Sequence, residues 1–297
     1  MKSRIAIIIV NFNGWKDTIE CIHSIEEVSY KSFEVIVVDN ASSDESVDKL
    51  KALISETPVA ITLIEEKENR GFSAGNNVGI LYAMKRNFDY YLMLNNDTLV
   101  DKEFLDELLK PFELDEVGAS IGQIYYAYNM KKIWYAGGAL NSKYIKPIHL
   151  KYNQTEIEHV SEIKEVTFAT GCCICCSKEL LDKIGLWNET FFLYEEDVDF
   201  SIRIMNAGYR IIYNSDAIVY HKVSASTGII AGNAEYYQIR NRLLLINMYK
   251  TGFGVLWAKI YTFLFCINRI IKREYQIKPM IDAYRDYLKK RTGKREL

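Results

Sequence analysis

Strand-like and helix-like segments alternate repeatedly through the first 125 residues, which predicts an α/β fold with a mostly parallel, doubly wound sheet and helices on both faces. Two further observations support this. The apolar runs are continuous, as strands covered on both faces require, and each ends in a polar cluster. The 297 residues, 49% of them hydrophobic, supply ample apolar surface for a large core. In open sheets of this kind ligands bind beyond the carboxyl ends of the strands, so the polar clusters are where function is sought.

The β-branched run Arg4–Val10 is the first strand, followed by a helix over Asp17–Glu27 and the apolar strand Phe33–Val38. An acidic first turn opens a helix over Asp44–Ile54. Next come a strand at Ala60–Ile64, a helix at Ser73–Arg86, a strand at Tyr90–Leu94, a helix at Asp101–Phe112 and a strand at Gly118–Tyr125. Beyond residue 125 the regular alternation stops. Trp134–Leu140 and Ile163–Cys176 read as strands and Lys178–Ile184 as a helix. The acidic patch Glu195–Asp199 opens a helix running to Asn206, and short strands follow at Arg210–Tyr213 and Ala217–Tyr220. The last 65 residues are mainly helical. No repeat or low-complexity linker divides the chain, which predicts a main domain over residues 1–245 and a helical extension over 246–297.

Thirty-seven basic against 39 acidic side chains give a net charge of -2, which argues against a protein that coats nucleic acid. The charge is unevenly spread. From Lys250 onward 12 Lys/Arg face 4 Asp/Glu, a net of +8, leaving -10 on residues 1–249. Met-Lys-Ser-Arg followed by a short apolar run lacks the length and cleavage site of a secretory leader, so a cytoplasmic location is expected. Four of the six cysteines crowd into Cys172–Cys176, where neighbours cannot readily pair and no second Cys/His cluster offers metal spacing. They read as small apolar residues of a buried strand. No run of 18 or more uncharged apolar residues exists, so no membrane-spanning helix is expected.

Each early strand is followed by polar groups: Asn11-Phe12-Asn13-Gly14, Asp39 to Asp44, Asn69-Arg70-Gly71 through Asn77, and Asn95-Asn96-Asp97-Thr98. Helix capping accounts for one such residue per helix, but not for an arginine or for a cluster after every strand. Gly71, Gly75 and Gly79 do not form a dinucleotide-binding fingerprint. Gly71 reads as allowing a close backbone approach, and the other two as packing. Asp97 suits a divalent cation carried on a substrate diphosphate, which needs few protein ligands; equally, it could cap the helix that follows. His221, just after a strand, could add a nitrogen ligand or be satisfied by the backbone. Glu195, Glu196, Asp197 and Asp199 repel one another, which raises pKa values toward the range of a general base, and one of them is expected to face the cleft. Arg240 and Arg242, in a helical segment with Gln238 and Asn241, suit phosphate oxygens or surface salt bridges.

Taken in order, Asn11–Gly14, Val38–Asp44, Asn69–Asn76, Leu94–Thr98, Thr170-Gly171 and Phe192–Asp199 resemble the family 2 inverting glycosyltransferases of GT-A fold, especially the rhamnosyltransferase-like branch. Each motif is weak alone, and six in order are specific. The resemblance covers residues 4–245 and implies a nucleoside diphosphate sugar donor and a saccharide or lipid-linked acceptor. Asp39 would accept a hydrogen bond from a pyrimidine base, with Arg70 beside it and the Val10, Asn11 and Asn13 backbone lining the pocket. Gly71, Asn76 and Asn96 would line the same pocket. Asp97 matches the last acid of a D-x-D motif that holds Mg²⁺ or Mn²⁺, with His221 as a further ligand. Asp197 matches the catalytic base and Glu196 the acid before it, while Arg240 and Arg242 match a diphosphate-contacting helix. Asn95 departs from the pattern, standing where D-x-D begins.

The apolar and basic tail suits a helix lying on an anionic membrane at the inner face, or one packed on the domain or on a second subunit as a homodimer. Two rival functions share parts of the pattern. A sugar-1-phosphate nucleotidyltransferase would need a Gly-rich loop with Arg and Lys after the first strand, which is missing. A catalytically inactive sugar-nucleotide-binding protein would not need both Glu196 and Asp197.

Overall fold

The computed structural model describes residues 2–223 and 233–295. β1 (Ile5–Asn11), β2 (Phe33–Asp39), β3 (Ile61–Glu65) and β4 (Tyr90–Leu94) pair all-parallel in the order β4-β1-β2-β3. The crossovers are α1 (Trp15–Glu26), α2 (Ser46–Glu56) and α3 (Phe72–Met84). Ile5 to Ile9 are fully buried, as their uninterrupted apolar character requires. α1 buries Thr18, Cys21, Ile22 and Ile25, a single stripe at helical spacing. α3 lies close on the sheet because Gly75 and Gly79 bring it against Val10 and Ile8; a Cβ on either would stand 2.8 Å or 2.5 Å from those side chains.

The second half extends the sheet. β5 (Thr98–Val100), α4 (Phe104–Leu109), β6 (Val117–Tyr126), β7 (Asn129–Tyr135), β8 (Gly138–Asn141), β9 (Lys146–His149) and β10 (Ile163–Val166) precede β11 (Cys173–Ser177). α5 (Lys178–Ile184), α6 (Glu196–Asn206), β12 (Arg210–His221), α7 (Asn233–Tyr249), α8 (Phe253–Ile271) and α9 (Ile277–Leu288) follow. The main sheet has ten strands among the described residues, with β11 inserted antiparallel between β4 and β6 and β12 parallel to β6. β1, β2, β3, β4, β6 and β12 therefore share one direction, and the sheet is mostly parallel as predicted.

The boundaries shift where apolar character reports burial and not extension. The strand expected at Ile163–Cys176 is two, the edge strand β10 and the central β11. Phe168, Ala169 and Thr170 between them are buried in a loop, so the run reads as continuous. Trp134–Leu140 breaks at Gly137, where φ is +85°, into β7 and β8. The two short strands at 210–220 are one, β12, with a register shift between Asn214 and Ile218. β5 spans only three residues, too few for a periodic signal. The cysteines behave as expected: all six are unbridged and buried, and burial pushes the Cys173 thiol up to about 12.

A second, smaller core joins Tyr236, Tyr237 and Leu243 of α7 to Cys266 of α8 and Met280 and Ala283 of α9. The division expected at 245/246 falls inside α7. α8, at 19 residues, is long and apolar enough by length and composition to cross a membrane. Lys259 and Arg269 interrupt its apolar sequence, so it contains no uncharged run of 18 residues.

Candidate active site

The ends of β1 and β2 form one wall. Asp39 is 1% exposed, and its Oδ2 accepts from the Asn11 amide at 2.7 Å and the Ser42 hydroxyl at 2.6 Å. Its Oδ1 accepts only from the Ser42 N–H, at 2.9 Å, leaving one acceptor position over. Asn11 Oδ1 accepts from Thr18 at 2.8 Å, and Asn96 donates to the same Thr18 hydroxyl at 3.1 Å. Asn13, at φ 51°, donates its N–H to Ser42 Oγ and accepts from the Ser43 N–H, both at 2.8 Å. The two loops are thereby cross-braced.

After β3, Arg70 reaches Glu189 at 2.6 Å in a half-exposed pair, and Asn77 donates to the other Glu189 oxygen at 2.9 Å. Asn76 is buried and spends its amide on the Phe72 carbonyl. Gly71 sits at φ +93°, and a Cβ there would lie 2.2 Å from the Phe192 carbonyl oxygen, which accepts the Phe72 N–H at 2.8 Å. The expectation of a close backbone approach is met, and its partner is the loop leading to the acidic patch. Gly71→Ala is expected to cost about 2 kcal/mol or more of stability, since both backbone strain and a fixed carbonyl oppose it. Gly75→Ala, whose Cβ would press on the Val10 side chain and touch that of Asn40 but meet no fixed backbone carbonyl, should cost less. Thermal melts of the two variants check the order.

Antiparallel pairing of Thr98 in β5 with His221 in β12 brings together residues 124 positions apart: His221 Nε2 lies 3.1 Å from Asp97 Oδ1. Asp97 is fully buried, yet neither carboxylate oxygen has a hydrogen-bond partner, and His221 Nδ1 lacks one too. The capping alternative for Asp97 is thereby removed. Buried, unsatisfied carboxylate oxygens beside an imidazole are costly unless a cation takes them, so the pair fits a divalent ion. Among the described residues no third His, Cys, Asp or Glu joins them, as suits an ion whose remaining ligands come from a phosphate and water. The Trp134 ring meets the His221 ring edge-on at 4.7 Å and fixes its plane.

The acidic loop is tied toward this pair through the segment Thr170–Cys172. Tyr194 and Glu195 both adopt left-handed backbone, φ 67° and 72°, a strain the surroundings impose. Asn241 of α7 holds it by donating to the Leu193 and Tyr194 carbonyls at 2.9 and 2.8 Å. Asp197 is partly exposed at the start of α6, accepting from the Gly171 N–H at 3.2 Å and the Val198 N–H at 2.9 Å. Desolvation first, and then the Glu195 charge, push its carboxyl up to about 7. Glu196 is buried, and desolvation followed by Asp197 holds its carboxyl well above the usual range. Asp199 is occupied structurally, by Arg203 at 2.8 Å and the Tyr249 hydroxyl at 2.6 Å.

Cys172 O accepts the Asn95 N–H at 2.9 Å, so the segment that holds Asp197 is hydrogen-bonded to the loop that carries Asp97. The two arginines part company. Arg242 pairs with Glu195 at 2.9 Å in a largely buried bridge, whereas Arg240 is 1% exposed, enclosed by Tyr236, Tyr237 and Asn241. The surface salt bridges read as an alternative are not found. Ser42, Trp134, Glu189 and Asn241 complete the site without having stood out as functional residues. Only Asn241, an amide between two arginines, gave a local signal, because the others matter through partners remote in sequence.

The sequence and the fold resemble those of known proteins. The family model for glycosyl transferase family 2 fits residues 6–185. The chain belongs to glycosyl transferase family 2. Among its relatives, the low-salt glycan biosynthesis hexosyltransferase Agl10 of Haloferax volcanii is 28% identical over 83% of this chain and 76% of its own. The dTDP-rhamnosyl transferase RfbF of Shigella flexneri is 24% identical over 95% and 94%. Among solved structures, GalNAc-T7 with UDP, GalNAc and Mn²⁺ superposes with a TM-score of 0.62 at 16% identity, over 73% of this chain and 43% of that one. The mannosyltransferase PcManGT of Pyrobaculum calidifontis, in complex with GDP-Man and Mn²⁺, gives 0.59 at 18% over 88% and 70%. The protein is a glycosyltransferase with the GT-A fold.

Proposed function

We propose that this glycosyltransferase moves a hexose of the rhamnose class from a pyrimidine nucleoside diphosphate sugar, dTDP- or UDP-linked, to a saccharide hydroxyl with inversion. The observation that carries the reading is Asp197, a partly exposed acid tuned to about 7, linked through Gly171 and Cys172 to the loop of an unsatisfied Asp97–His221 pair. Asp97 and His221 would hold Mg²⁺ or Mn²⁺, which when bound offsets the negative charge gathering on the diphosphate. Asp39, with its one free acceptor position, would receive the base N–H. Arg70 would exchange Glu189 for the nucleotide. Of the two arginines Arg242 is the better placed for the diphosphate, Arg240 being enclosed.

In the transfer, the acceptor oxygen bonds to the anomeric carbon as the bond from that carbon to the phosphate oxygen breaks. The hydroxyl proton passes to the Asp197 carboxylate, and the nucleoside diphosphate leaves. Burial and the neighbouring Asp197 charge push the Glu196 carboxyl up as well, which disfavours two ionised carboxylates side by side. The likeness to a dTDP-rhamnosyl transferase over nearly the whole of both chains supports the donor class.

Release of nucleoside diphosphate from a panel of nucleotide sugars, with and without saccharide acceptors, tests this. Acceptor-dependent release from a dTDP- or UDP-sugar is expected. Pyrophosphate-dependent exchange would indicate a nucleotidyltransferase, and Mn²⁺-dependent stabilisation by a donor with no release would indicate an inactive binding protein.

A further inference from the structure

α8 presents Phe253, Leu256, Trp257, Ile260, Phe263 and Leu264 to solvent at helical spacing, with Trp257 60% and Phe253 82% exposed. Ala258, Thr262 and Cys266, on the opposite side, are the buried residues of α8 and hold it to the protein. α9 adds exposed Ile277, Ile281 and Leu288. A row of this size is not ordinary surface.

Basic residues terminate both apolar rows. Lys272 and Arg273 follow Ile271, Lys278 lies in the first turn of α9, and Lys289 and Lys290 follow its end; all five are exposed and make no ion pair among the described residues. The acids nearby are already engaged: Glu274 by Arg269, Asp282 by Arg285 and Arg295, and Asp286 by Arg285 and Arg291. These five unpaired cations therefore lie beside exposed hydrocarbon, in a segment that carries +8 from Lys250 onward against -10 on residues 1–249.

We infer that the α8–α9 face docks on the surface of a membrane rich in anionic lipid, with α8 lying in the interface. Charge complementarity selects this occupant. A twofold dimer through the same patch would set one cationic surface against another, whereas anionic headgroups neutralise it while the acyl boundary takes Trp257 and Phe263. Spanning the bilayer would strip α8 of its contacts through Ala258, Thr262 and Cys266 and place Lys259 within the hydrocarbon. The inference is independent of the donor and acceptor proposed above, and nucleotide binding can be measured separately.

The test is cosedimentation of the full chain with vesicles of phosphatidylcholine alone or mixed with phosphatidylglycerol. Binding to the mixed vesicles only, weakened by salt and reversed by alkaline carbonate, is expected. Reversing Lys272, Arg273 and Lys278 to Glu should weaken binding about a hundredfold, and W257D with F263D should weaken it comparably, both with unchanged Mn²⁺-dependent nucleotide binding as the check on folding. Equal binding to both vesicle types, no binding to either, or retention after carbonate overturns the inference. So does a dimer in solution that W257D dissociates.

Discussion

Asp197→Asn is expected to lower the transfer rate about a thousandfold while leaving donor affinity within a few-fold of the parent, since a positioned general base is worth roughly 10² to 10⁴ in rate. The asparagine is nearly isosteric and keeps an oxygen for the Gly171 or Val198 N–H, but it accepts no proton. Desolvation and the Glu195 charge already disfavour the ionised acid, so the neutral amide should hold or raise the melting temperature. Falling activity with preserved stability separates a chemical role from a structural one. A pH profile gives a second check. With its carboxyl at about 7, the parent's base is mostly protonated below pH 6 and mostly ionised above pH 8, so transfer should rise through neutrality and level off. Near-normal turnover in the variant, or a parent rate independent of pH across this range, would sink the assignment.

The second large effect is at Asp97. Asp97→Asn should abolish Mn²⁺-dependent donor binding and reduce transfer at least a hundredfold, with chelation of the parent giving the same phenotype. Saturating donor and metal at about a hundred times Kd stabilise a native protein by roughly 2.7 kcal/mol. The parent should show such a shift on heating and the variant should not. Without ligand the variant should be no less stable, because it neutralises a buried carboxylate whose two oxygens have no hydrogen-bond partner. A variant that unfolds without ligand, or that still binds the donor in a metal-dependent way, would show that Asp97 has another task. His221→Ala should resemble it in weaker form, since one of two candidate ligands remains.

Much of this was readable in one dimension. β4 and α5 occupy the residues expected, and the other early elements differ by one to three residues at most ends. The first strand, buried on both faces from Ile5 to Ile9, advertises itself by the apolar, largely β-branched run that ends at Val10, and the strand-end rule then points at Asn11, Asp39, Arg70 and Asp97. Failures cluster after residue 125, where apolarity stopped tracking extension: the loop at Phe168–Thr170 is buried as deeply as the strands around it. Arg240 and Arg242 illustrate the same limit at the site. Two residues apart on one helix, they received one role, yet one is enclosed by tyrosines and the other is bridged to Glu195.

Local patterning alone thus determined the alternating α/β order, the direction of most strands, the buried thiols and the polar residues at the strand ends, because periodicity, strand length and capping chemistry act over a few neighbours. Which of those residues meet was settled by long-range pairing. The Asp97–His221 contact exists because β12 returns beside β5, the Asp197–Gly171 bond because β11 turns back between β4 and β6, and the strained backbone at Tyr194 and Glu195 because an amide on α7 holds two carbonyls from 47 and 48 residues away. Hydrogen-bond partners and desolvation, which together tune an acid to about 7, are properties of the packed neighbourhood, and no short stretch of chain carries them.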